Sequence, residues 1–195
     1  MSFIHFLLEE REIHATKYTT EESARIPHLS SGNLEGVARV GNVIFDQKNG
    51  LGSTPNNQNV VYRGFVGMMK PSNFLLFAAK ADRGEDAKDI LNLINDGYGI
   101  GSPFLYLKLD GEDEPSKIKM SIVGHEGRAR SVALNSLQPN VNIPVHFFMY
   151  GETRARHIND QIVKMLNSSI TAERTGEFVK NRIDSIWLNG THINL

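Results

Sequence analysis

Apolar residues recur along this chain at two spacings, and the switches between them mark its elements. Phe3, Phe6 and Leu7 fall at helical spacing ahead of Glu9 and Glu10 and predict a short amphipathic helix. "TTEESARIP" sets Thr19 and Glu22 at capping-box spacing, with Pro27 as a stop, which predicts a second short helix. From His28 to Asn59 the chain is polar and rich in glycine and asparagine. With "QKNGLGSTPNNQN" inside it, this stretch reads as a long loop, either plain surface or a lid. "VVYRGFVGMM" predicts a strand. "KPSNFLLFAAKA" predicts a helix with Ser72 as N-cap and Phe74, Leu75, Phe77 and Ala78 as its apolar stripe.

A clearer helix follows in "GEDAKDILNLINDG". Ala87, Ile90, Leu91 and Ile94 share a face, acids crowd the first turn and Gly97 is the stop. "SPFLYLKL" alternates as a strand, "DGEDEPS" is an acidic turn, and "KIKMSIVG" is the strand expected to pair with the first as a hairpin. A helix is predicted from Arg128 to about Leu137, then a strand over "NIPVHFFMY", then a helix over "HINDQIVKMLNSSI" capped by Asn159. Phe178, Val179, Ile183, Ile186 and Trp187 close the chain at roughly helical spacing, with a strand as the alternative. This mixed order with short hairpin connections predicts an α+β fold, a small mixed sheet with flanking helices. Three regions are expected: 1–59 with N-terminal helices and the polar loop, a core over 60–150, and a helical extension over 151–195.

The chain of 195 residues is long enough to bury a core without staples, and with no cysteine it forms no disulfide or thiolate metal site. No apolar run reaches the ~18 residues needed to cross a bilayer, and the N-terminus lacks the features of a secretory signal. No membrane partner is therefore expected, and the expected setting is intracellular or a virion. A formal net charge of -1 argues against a strongly basic nucleic-acid binder while leaving room for a local basic cleft.

Three motifs compete for the chemistry. "GYGIGS" has the glycines of a dinucleotide loop, but a helix precedes it and a strand follows, the reverse of that fingerprint; a helix stop plus a turn is the better reading. His125 and Glu126 are adjacent without HExxH spacing, so a zinc site would need distant ligands such as His146 or His157, and no metal site is assigned. "SIVGHEGRARSVAL" is the stronger candidate. A glycine turn opening a helix presents backbone N–H groups at the positive end of the helix dipole. Gly127 allows close backbone approach, and Arg128 and Arg130 offer planar donors matched to phosphate. Arg130 is expected to be an exposed side chain whose removal leaves folding largely intact. The alternative is that Glu126 pairs with an arginine and the cluster only fixes a turn. Arg154, Arg156 and His157 in "RARHI" are a candidate second basic loop beside the same cleft, or else a solvated one.

Gly127, Arg130 and Ala133 stand in the spacing GxxRxxA, which resembles the phosphate-binding signature of the ParB/sulfiredoxin-like superfamily. The context over roughly 60–150 is similar too: "LINDG", the strand "SPFLYLKL", a charged hairpin, "KIKMSIVG", the motif helix, then "NIPVHFFM" as a closing strand. "TPNNQN", "MKPSNFL", "IGSPFL", "GHEGR" and "RARHI" together resemble proteins of tailed bacteriophages and the ParB-like domains of mobile-element polyvalent proteins. The resemblance implies a nucleotide such as ATP or CTP, with Mg2+ as a candidate ion, held by its phosphates at Gly127 and Arg130, while Ala133 lets the helix pack on the sheet. Ala129 departs from the histidine or arginine often found before the motif arginine. A sulfiredoxin's catalytic cysteine is absent, and no helix-turn-helix half is evident after Tyr150.

Two classes of function follow from the resemblance. One is an NTPase, phosphotransferase or nuclease, with Glu126 as general base or metal ligand, His125 as proton carrier and DNA as a candidate partner. The other is a non-catalytic phage protein, packaged in the virion or acting on the host, that uses the fold as a binding scaffold. "FLLEE" loosely resembles capsid-targeting peptides. Host cytoplasm or virion is the implied location, and the oligomeric state is left open.

Overall fold

The computed structural model describes residues 15–29, 36–52, 64–78, 84–110, 119–150, 171–172, 182–188 and 191–195. Helix α1 (Thr20–Arg25) opens on the expected capping box: the Thr19 side chain accepts from Glu22 N–H, and Glu22 in return accepts from the Thr19 backbone. Those bonds, the backbone one first, hold the Glu22 carboxyl below its usual range. Strands β1 (Val37–Val40) and β2 (Val43–Asp46) then form a separate antiparallel hairpin closed by Gly41 and Asn42. Gly41 takes the left-handed conformation, φ 59°, that such a short turn requires. This corrects the reading of 28–59 as loop throughout. Val43 and Phe45 are wholly buried, and Phe45 and Leu51 both bridge to Ile100. The short apolar runs are masked in sequence by the glycine and asparagine around them.

The main sheet takes in β3 (Phe65–Met69), β4 (Phe104–Asp110), β5 (Lys119–Glu126), β6 (Ile143–Tyr150), β7 (Thr171–Ala172), β8 (Ser185–Leu188) and β9 (Thr191–Asn194). Among the described residues its order is β7-β5-β4-β6-β3-β8-β9. The β4–β6 and β5–β7 pairs are parallel and the rest antiparallel, so the sheet is mixed and the fold is α+β, as the element order predicts. "SPFLYLKL" and "KIKMSIVG" pair antiparallel, Leu105 opposite His125 and Leu107 opposite Ile122. β5 runs on through His125 and Glu126, which the sequence reading places in a loop. In the closing segment the strand alternative holds: residues 185–188 and 191–194 are strands, which corrects the helical extension expected there. All four residues of β8 are buried, so no alternation shows in its sequence, and helical spacing arises from a strand covered on both faces.

Helices α2 (Pro71–Phe77), α3 (Gly84–Asn95) and α4 (Arg128–Leu137) pack together, α4 against both others. α2 starts at Pro71 with Lys70 as N-cap, rather than after Ser72. Proline lacks the N–H that the first turn leaves unbonded and has its φ preset for helix, so it nucleates the turn itself. Cross-strand partners share a sheet face. Phe65, Phe147, Leu105 and His125 therefore lie on one face, and the His125 ring meets Phe74 of α2 edge-on at 6.4 Å, so this is the helix-covered face. Phe65 stacks on Phe147 at 4.6 Å, and Leu105, Leu107, Ile122, Phe74, Phe77 and Leu134 belong to the same core. Each such large side chain contributes roughly 1.5–3 kcal/mol by burial. At the far end of α4, Gln138 accepts from Asn42 N–H and donates to the Val40 carbonyl, clamping the β1–β2 turn to the core.

Candidate phosphate-binding site

The site begins where β5 ends. Glu126 stands opposite Phe104 at the end of the sheet, and the chain turns over Gly127 into α4. Gly127 is the N-cap residue, left-handed at φ 94° and ψ 22°, so no side chain caps the helix. A Cβ there would stand 2.9 Å from both Arg130 Nη2 and Pro103 Cα. The first turn carries no acid and two arginines. A cation at this positive end is opposed by about 0.3–1 kcal/mol, so other contacts must hold it there.

Arg130 is held by main-chain carbonyls. Its Nη1 donates to Gly52 at 2.5 Å, Gly101 at 2.7 Å and Ser102 at 3.2 Å. The two hydrogens of Nη1 are shared among the three carbonyls, and even one hydrogen bond from a charged group contributes about 1.5–3 kcal/mol, which outweighs the dipole. The side chain is only 4% exposed, which corrects the expectation of a surface arginine: the glycine turn and the loop at Gly52 close over it. Gly52 is left-handed at φ 64°, and a Cβ there would meet Arg130 Cζ at 2.8 Å. The loop is set by Asp46, which accepts from Lys48 N–H, Asn49 N–H and the Tyr18 hydroxyl. The second terminal nitrogen, Nη2, is buried beside Gly127 and has no hydrogen-bond partner among the described residues. Burial pushes the Arg130 pKa down to about 10, opposed by the charge of Glu126, so the group stays cationic at neutral pH.

A row of side chains crosses the opposite, outer sheet face at the same end. Glu126 pairs with Phe104, Phe104 with His146 and His146 with Val66. The His146 ring stacks on Phe148 at 5.9 Å, and its Nε2 is buried with no partner among the described residues. Burial first, and the charge of Arg130 second, push its pKa down to about 4, so the imidazole is neutral. Arg130 is thus electrostatically coupled to two members of this row.

Gly127, Arg128 and Arg130 come together at the turn, and Glu126, exposed, faces the outer side beside them. Arg128 reaches the Ala78 carbonyl at 3.3 Å, toward the end of α2. His125 goes the other way, against Phe74 on the helix-covered face, because successive strand residues point to opposite faces. Arg154, Arg156 and His157 lie outside the described residues. His146 enters the sequence reading only as a remote zinc ligand, Gly101 and Ser102 only within the "GYGIGS" turn and the strand after it, and Gly52 only within the long polar loop; none of the three is read there as a partner of Arg130. For His146 a signal exists, since its strand was expected to close the sheet around the motif; for three main-chain carbonyls no side-chain pattern exists to read. Among the described residues, no three of His, Asp and Glu gather as a metal site, and no helix is long and apolar enough to cross a membrane. Comparison of the chain with family models, with curated proteins and with solved structures finds no match.

Proposed function

We propose that this protein binds a nucleotide or another phosphate-bearing ligand at the Gly127 turn, with the first N–H groups of α4, Arg128 and Arg130 as donors. The observation that carries the reading is Arg130 Nη2: a cationic donor, buried against an uncapped helix start and without a hydrogen-bond partner among the described residues. A buried donor left unpaired costs about 1–3 kcal/mol, and a phosphate oxygen is the acceptor that suits both it and the helix dipole. The GxxRxxA spacing, with its resemblance to the ParB/sulfiredoxin-like superfamily, supports the same reading, and ATP and CTP, with Mg2+, are the first ligands to try.

Between the two classes of function, the non-catalytic scaffold is favoured over an NTPase, phosphotransferase or nuclease by one observation. His125 and Glu126 point to opposite faces of the sheet, which separates the acid–base pair that the motif offered. The test is calorimetric titration of the full chain with ATP, CTP and inorganic triphosphate, with and without Mg2+, together with Arg128→Ala. Arg128 is half-buried, unlike Arg130, so its truncation should disturb the fold less while weakening phosphate binding about tenfold, and melting curves check that the variant folds. A well-folded wild type that binds none of the three ligands refutes the proposal.

A further inference from the structure

The outer face of the sheet carries an aromatic cluster directly beyond the row described above. Tyr106 and Phe148 stand on adjacent central strands as cross-strand partners, both half-buried, with ring centroids 6.2 Å apart. Phe104 lies beneath them, fully buried, edge-on to Tyr106 at 5.3 Å and to Phe148 at 5.4 Å. His146 extends the cluster toward Arg130. Glycines flank the pair. Gly124 is the partner of Tyr106 on β5, and a Cβ there would stand 3.0 Å from Tyr106 Cδ2; one on Gly64 would stand 3.7 Å from Phe148 Cδ1. Gly124 therefore sets no side chain directly opposite Tyr106, and Gly64 carries none beside Phe148.

The position of the pair gives the cluster its meaning. Tyr106 is two residues, roughly 7 Å, along β4 from Phe104, and Phe104 pairs with Glu126, the residue before Gly127. A phosphate at the Gly127 turn would thus lie across the Glu126–Phe104–His146 row from a ring on Tyr106 and Phe148, with His146 Nε2 in that row and Arg130 Nη2 beside Gly127. Both atoms are buried polar groups without a partner among the described residues. Aromatic rings on central strands stack bases without regard to sequence, since every base has a π-face.

We propose that Tyr106 and Phe148 are the base platform of the site, so that its ligand is a mononucleotide whose base lies on the sheet and whose phosphates reach the start of α4, with His146 contacting the sugar or first phosphate. This rests on the phosphate reading above and goes beyond it, because it assigns the organic half of the ligand to residues outside the GxxRxxA motif.

The experiment separates the two halves. The full chain is titrated with ATP, with CTP and with inorganic triphosphate, and the titrations are repeated for Tyr106→Leu and Phe148→Leu, which keep an apolar side chain in place; melting curves check that each variant folds. A nucleotide should bind at least about tenfold more tightly than inorganic triphosphate, and each substitution should remove most of that margin while leaving triphosphate affinity unchanged. Gly124→Val, which would push the Tyr106 ring aside, should act like Tyr106→Leu. Equal affinity for nucleotide and triphosphate in the wild type, or variants that retain the margin, overturns the platform and leaves the phosphate site standing. Absence of binding by all three ligands removes the phosphate site and the platform with it.

Discussion

Arg130 folds back on Gly127 across the first turn of its own helix, so that a single methyl group on Gly127 would come within 2.9 Å of the guanidinium. Helical side chains lean toward the N-terminus, and here that lean carries the arginine beneath the turn that starts the helix. Gly127→Ala should therefore be penalised twice, by a left-handed φ of 94° and by contact with Arg130 and Pro103. A loss of about 2 kcal/mol or more is expected in urea denaturation. A loss under ~0.5 kcal/mol would show that the turn relaxes freely.

Truncating Arg130 should destabilise the fold, unlike the truncation of an exposed arginine. Arg130→Ala leaves the carbonyls of Gly52, Gly101 and Ser102 without their shared donor and opens a cavity under the turn. A cost of about 2–3 kcal/mol is expected, that of leaving buried neutral acceptors unsatisfied. Arg130→Lys should recover only part of it, because one ammonium does not reproduce the planar fork. Chemical denaturation of the two variants measures both numbers, and equal stability of Arg130→Ala and wild type would contradict the buried geometry.

Stability should fall as the solution is acidified through the range of His146. The unfolded chain takes up a proton near the usual 6.5, whereas the folded protein resists until about 4. The unfolded state therefore binds more protons in that window, and stability is lost as pH drops from about 6.5 toward 4, by up to about 3 kcal/mol. Above 6.5 the contribution is fully present. His146→Gln, which does not titrate, should flatten this part of the profile. Thermal melts at a series of pH values decide it: an unchanged slope in the variant would assign the acid sensitivity elsewhere.

Asp46 should matter to the site although it touches no part of it. The carboxylate is 1% exposed and accepts from Tyr18 Oη at 2.7 Å, Lys48 N at 3.0 Å and Asn49 N at 2.9 Å. Burial, with Asp46 second, pushes the Tyr18 pKa well up, so its hydroxyl remains a donor. Asp46→Ala should cost about 3 kcal/mol and release the loop that brings Gly52 to Arg130; Tyr18→Phe should cost about 1 kcal/mol. Calorimetric melting of the two variants checks the order, which would be reversed if the hydroxyl rather than the carboxylate held the loop.

Local signals in the sequence were enough for a large part of this structure. The capping box at Thr19 and Glu22, the stop at Gly97, the hairpin of β4 and β5 and the span of α4 are each written in neighbouring residues, because capping, turn conformation and one-sided burial act over a few positions. The turn at Gly127 and the two arginines after it were legible for the same reason. What only the tertiary structure decided is where those residues point and what they meet. β8 reads as helix or strand until both of its faces are seen to be covered, and β1 and β2 read as loop until Phe45 and Leu51 are seen to close on Ile100. His125 and Glu126 are adjacent in sequence, but the pleat sends them to opposite faces. Arg130 looks like a surface cation until Gly52, 78 residues away in the chain, and the carbonyls of Gly101 and Ser102 enclose it. Main-chain acceptors carry no side-chain signature, so no spacing in the sequence could announce them; they become visible when the sheet and the loops bring distant backbone to one guanidinium.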